Sequence, residues 1–165
     1  MSAGAVFYTK QEQTYVLKFV GDIRYTMGRS LDVFLDQLFK EQDFNNILID
    51  LTEAESIDST SLGLLAKIAN FMRERFGRKT TLVSTNEDIN QILDSVGFGE
   101  VFTICRDCEV VAQGGQRVPT SEPGKAEMAK TLLEAHSILS GLNEKNRKEF
   151  KNVIDALRGE LAGKA

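Results

Sequence analysis

Chemistry in this chain is concentrated where hydroxyls and acids crowd together: Ser56, then Asp58-Ser59-Thr60-Ser61. Serine, threonine and aspartate are the preferred caps of a helix N-terminus, where backbone amides lack partners. A serine hydroxyl there is also a suitable phosphoryl acceptor, because the amides and the helix dipole stabilise the anion it becomes. A phosphoserine adds about 1.5 to 2 negative charges, close in sequence to Asp50, Glu53, Glu55 and Asp58. Such a charge need not unfold anything. Its cost appears when a partner has to bury it, and about 2.8 kcal/mol is enough to lower an affinity a hundredfold. The competing reading of these residues is that they only cap a helix.

The remaining reactive side chains are few. Cys105 and Cys108 are the only cysteines, and the sole histidine is His136, far along the chain in a helical pattern. A lone C-x-x-C lacks the further ligands zinc requires, and redox pairs normally open a helix, so two plain thiols at a strand end are expected, with a redox sensor through Cys105 and Cys108 as the lesser reading. No glycine-rich phosphate loop, His-rich metal cluster or Ser-His-Asp ordering is present. His136 sits too far along the chain to be expected to serve a site at Ser59. The sequence therefore points to no enzyme activity, no metal and no cofactor.

The elements that must position these residues are legible from spacing. Ile47-Leu48-Ile49-Asp50-Leu51 reads as a buried strand, and Thr52 to Ile57 as an exposed acidic loop. From Leu62 a helix follows, with Leu62, Leu65, Ala66, Ala69, Met72 and Phe76 on one face. Leu64, Ile68 and Phe71 form a second apolar stripe beside the first. The apolar sector is about twice the usual width, so something covers it.

Around this centre, Ala5–Thr9 and Tyr15–Val20 suggest a hairpin, with Gly21-Asp22 breaking the second strand. Leu31, Phe34, Leu35, Leu38 and Phe39 mark an amphipathic helix. Gly77 ends the central helix, Thr80–Val83 is a strand, Asn86 and Gly97 bracket a short helix, and Val101–Ile104 is a further strand. Val110-Val111-Ala112 offers one more short strand. This alternation predicts an α/β domain over 1–112, a mixed sheet with helices mainly on one face. Residues 113–124 hold both prolines and a glycine pair and read as a linker or exposed loop. Residues 125–165 read as a helical hairpin. Met128, Leu132, Ala135, Leu139 and Leu142 stripe its first helix, and Phe150, Val153, Ile154, Leu157 and Leu161 its second. Two such stripes need a surface to dock on.

With 165 residues and 42% hydrophobic content the chain can bury a sizeable core. A net charge of -4 argues against binding nucleic acid through its phosphates. No apolar run approaches the roughly 18 residues that read as a membrane span, and no signal-like segment follows Met1. A cytoplasmic protein without membrane insertion is expected.

Three separated blocks resemble one family. Gly21-Asp22-Ile23, then Ile49-Asp50-Leu51 through Ile57-Asp58-Ser59-Thr60-Ser61-Leu62-Gly63, then Leu93-Asp94-Ser95-Val96-Gly97-Phe98 before Val101-Phe102 are similar to the STAS domain of anti-sigma factor antagonists. The likeness covers about residues 5–112 and is strongest to stand-alone proteobacterial antagonists that set motility against biofilm formation. It implies a binding module. The unphosphorylated form captures an anti-sigma factor, often one with an ATP-binding serine-kinase fold, and a serine phosphatase restores that form. The phospho-acceptor position falls on Ser59, with Ser56 as the alternative and Thr60 or Ser61 behind it.

The same resemblance places Asp58, Ser61 and Arg24 on the partner-binding face, with Thr60 beside them, and the second apolar stripe adds Leu64 and Ile68 as partner-binding candidates. Two departures bear on docking: Ser61 replaces a usual glycine, and Arg24 stands where an acidic residue is frequent. The alternative from another class is a STAS regulatory subunit of a transport complex, or a small-ligand binding module. For the tail, the expectation is that it docks near the central helix, covers its second stripe and tunes partner access.

Overall fold

The structure, a computed structural model, describes residues 3–110 and 114–163. Its centre is a six-stranded mixed sheet in the order β5-β4-β3-β2-β1-β6. β1 (Ala5–Gln11) and β2 (Thr14–Ile23) form an antiparallel hairpin across a two-residue turn in which Glu12 takes φ +55°. β3 (Asn46–Ile57), β4 (Thr81–Val83) and β5 (Thr103–Cys105) then add in parallel beside β2. Parallel neighbours need crossovers. α1 (Gly28–Leu38), α2 (Ser59–Phe76) and α3 (Glu87–Ser95) supply them.

The strands differ from the sequence expectation in three places. Gly21 does not end β2: it takes φ +80° at an irregularity in the β2–β3 register, and the strand continues to Ile23. The segment from Thr52 to Ile57 is strand rather than loop, because β2 runs alongside it to the end. Its acidic Glu53 and Glu55 face solvent while Ala54 and Ile57 are buried, so a polar run conceals a half-buried strand. Val101 closes a 3-10 turn over Phe98–Glu100, and β5 begins only at Thr103. The Phe98 and Phe102 rings, 4.8 Å apart and buried, hold that turn against the core.

Residues Val111 and Ala112 of the short strand suggested at 110–112 lie outside the described residues. Within the linker, Gln116–Arg117 form β6 on the open edge of β1, and the following Val118 is buried and donates its amide to Val6 O. The chain then reaches α4 (Lys125–Ser140) and α5 (Glu144–Ala162). Asn143 caps α5 by accepting from Asn146 N. Asn146, fully buried, donates to Val96 O and Leu139 O and so ties the hairpin turn to the end of α3.

One apolar core runs through the molecule, from Leu17, Phe19, Ile47 and Ile49 through Leu31, Leu35, Leu65 and Met72 to Ala135 and Leu139. α4 lies on α2 and α1, and α5 packs on α4. The central helix is thereby enclosed, which accounts for its wide apolar sector: Leu64 and Ile68 are 0% exposed. Phe71 is covered differently. Its ring stacks on Phe39, at the end of α1, with centroids 3.9 Å apart.

Candidate functional site

The site begins where β3 hands over to α2. Asp58 is the N-cap of α2 in extended geometry. One carboxylate oxygen accepts from Ser61 N at 2.9 Å, and the other from Tyr25 N at 2.6 Å. A single side chain thus satisfies an open helix amide and anchors the turn after β2. The capping reading of this cluster belongs to Asp58. Ser59, half-buried in the first turn, is free to use its hydroxyl elsewhere.

That hydroxyl meets the tail. Ser59 Oγ lies 2.9 Å from His136 Nε2, and His136 Nδ1 lies 2.7 Å from Leu132 O. A carbonyl can only accept, so Nδ1 carries the proton; in the neutral ring Nε2 is then an acceptor, and Ser59 donates to it. The expectation that His136 could not serve Ser59 is overturned, because the hairpin folds α4 back across α2. The sequence signal was its place in the α4 stripe, next to Ala135 and one turn before Leu139.

Other candidates fall around this pair. Thr60 and Ser61 are buried, as are Leu64 and Ile68. Arg24 is exposed and pairs with Asp22 at 3.7 Å. Ser56 lies within β3, one residue before its end, instead of in a loop, and its hydroxyl donates to Asp22. Asp58, Ser59 and Arg24 therefore share the rim, whereas the apolar candidates lie beneath α4 and α1.

Two further contacts bind α4 to α2. A Cβ added at Gly63 would stand 2.1 Å from Ala135 O, so the two helix backbones touch there. One turn on, Lys67 Nζ reaches Asp32 at 2.6 Å, Asp36 at 3.0 Å and Glu134 at 2.6 Å. Burial works against the Lys67 charge, but the hydrogen bonds it donates to Asp32, Glu134 and Asp36 outweigh that and hold the ammonium well above its ordinary value. Burial pushes the Asp32 carboxyl up, and Lys67 offsets only part of that shift.

At the far edge of the sheet Cys105 and Cys108 form a disulfide, where plain thiols had been expected. Asp107 is adjacent, the three forming a group of metal-ligand type. With both sulfurs bonded to each other, no thiolate remains there for a metal.

The STAS domain family matches residues 6–110. The chain belongs to the STAS family. Its STAS domain ends before α4 begins at Lys125, so the hairpin that covers α2 lies outside the family match. Among solved structures, this chain is similar to an anti-sigma factor antagonist from Mycobacterium paratuberculosis, at 17% identity and a TM-score of 0.52 over 62% of this chain and 85% of that one. It is also similar to the anti-sigma factor antagonist SpoIIAA in its unphosphorylated form, at 13% identity and 0.55 over 62% and 90%. The phosphorylated form of the Bacillus cell fate determinant SpoIIAA gives 13% identity and 0.51 over 62% and 93%. At these identities the likeness is one of fold. No curated protein matches the chain. Among the described residues, no helix is long and apolar enough to cross a membrane.

Proposed function

We propose that this chain is a cytoplasmic anti-sigma factor antagonist in a partner-switching pathway, a binding module without catalysis of its own. Unphosphorylated, it captures an anti-sigma factor or a serine kinase with an ATP-binding fold, freeing a sigma factor. Phosphorylation of Ser59 releases that partner, a serine phosphatase restores the capturing form, and the genes controlled set motility against biofilm formation. The observation that carries this reading is the position of Ser59. In a STAS domain with the fold of anti-sigma factor antagonists, its hydroxyl stands in the first turn of α2, relieved of capping by Asp58.

A phosphate there gains from the helix N-terminus, so the domain keeps its fold while its surface changes sign. A partner that docks over it must strip water from about two added charges. Arg24, the exposed cation on this rim, already pairs with Asp22. Ser56 is the less favourable acceptor, since it lies within β3 and has no helix N-terminus to stabilise a phosphate.

Phosphopeptide mapping of the protein from its own cells, with Ser59→Ala and Ser56→Ala compared, tests the reading. Loss of the modified species only in Ser59→Ala, and partner capture at least a hundredfold weaker with phosphoserine at 59, are expected. Recovery of the same companions from alanine, unmodified and phosphorylated forms overturns it. Co-purification with an ATPase or permease subunit would instead identify a regulator of transport.

A further inference from the structure

The apolar sector of α2 is twice as wide as one sheet-facing helix requires, and the part the sheet leaves over is filled by α1 and by α4, the latter beyond the family match. The α2–α4 seam is continuous with the common core through Leu64, Ile68, Ala135 and Leu139, yet it is not uniformly apolar. Permanent packing is apolar, with buried polar groups paired. Here the seam holds the Ser59–His136 hydrogen bond and the Lys67 cluster that includes Glu134. Where α1 meets this seam, Thr131 lies near Gly28 as Thr60 does, its hydroxyl fully buried with no hydrogen-bond partner among the described residues. Seams of this mixed kind are typical of surfaces that associate reversibly. Gly63 against the Ala135 backbone shows what the surface accepts: a helix lying close enough that one side has no side chain.

We propose that the face of α2 from Ser59 to Lys67 is a helix-docking surface with α4 as its resident occupant. An outside protein takes the face by displacing α4 with a helix of the same pattern, a small residue opposite Gly63 and a carboxylate opposite Lys67. This deepens the reading above and rests on it in one respect, that a protein partner uses the Ser59 end of α2. The structure is then the closed form. Part of a partner's binding energy goes into opening the hairpin, and Ser59 is shielded until it opens. By linkage, whatever loosens α4 strengthens capture of an outside helix by the same factor.

The test uses the full chain carrying His136→Glu, which places a carboxylate against Ser59 and Asp58. The probe is a fluorescent synthetic peptide of residues 125–142. Amide exchange over residues 129–139 is expected to quicken at least tenfold while the sheet is unchanged. The variant captures the peptide, the unsubstituted chain does not, and a peptide carrying Ala135→Leu binds at least tenfold more weakly. If the sheet also loses protection, Asn146→Ala takes its place, since it removes the buried amide donated to Val96 O and Leu139 O and so loosens the hairpin turn without touching α2. The proposal is overturned if neither variant releases α4. It is equally overturned if a released α2 ignores the peptide, or if both peptides bind alike. None of these readings depends on phosphorylation, so a Ser59 that is never modified would defeat the functional reading and leave this one standing.

Discussion

At Ser59 the hydroxyl that could carry phosphate is the one Asp58 leaves unused. Asp58 holds two backbone amides from different elements, Ser61 N and Tyr25 N. Its replacement by alanine removes both acceptors at once and is expected to cost about 1 to 2 kcal/mol, the upper range for a lost N-cap. Urea denaturation measures this, and Ser59→Ala, which removes one half-buried hydrogen bond to His136, should cost about 1 kcal/mol or less. Gly77 provides a contrast. Nothing stands within 4 Å of a Cβ built there, yet its φ of +64° means that Gly77→Ala should still cost about 1 kcal/mol through backbone strain alone.

Between elements, the α2–α4 contact reverses an ordinary propensity. In an open helix interior, glycine to alanine gains about 1 kcal/mol. Gly63→Ala should instead destabilise by about 1 to 3 kcal/mol, because the new methyl meets the Ala135 backbone; a lower midpoint in thermal or urea unfolding checks the sign. The Lys67 cluster adds a pH signature. Because burial raises the Asp32 carboxyl, the folded chain holds a proton that the unfolded chain has already released. Stability from this group is therefore lost as pH rises above the ordinary aspartate value of 3.8, opposite to the usual carboxylate trend. Unfolding curves of the unsubstituted chain and Asp32→Asn, compared across that range, should show the difference turning against the aspartate as pH climbs. Lys67→Met, which strands Asp32 in the interior, should cost about 3 kcal/mol or more.

Over the whole molecule, sheet and tail form one core, yet the disulfide contributes little to it. Cys105 and Cys108 close a loop of a few residues, so replacing both by serine is expected to lower stability by about 2 kcal/mol or less, with partner capture unchanged. Periodicity made most elements legible: α1, α2, α3 and both tail helices stand where apolar spacing, asparagine caps and terminal glycines place them. Local composition misread Thr52–Ile57, since only the neighbouring β2 holds that polar run extended, and it misread Gly21, whose positive φ lets a strand continue past an irregularity. Sequence alone determined which hydroxyls cluster at a helix start and how much apolar surface α2 must hide, because both depend on residues near one another in the chain. Only the tertiary structure decided that His136 meets Ser59 across 77 positions and that Ala135 closes on Gly63. Those pairings come from where an added hairpin lands, and no local spacing encodes the landing.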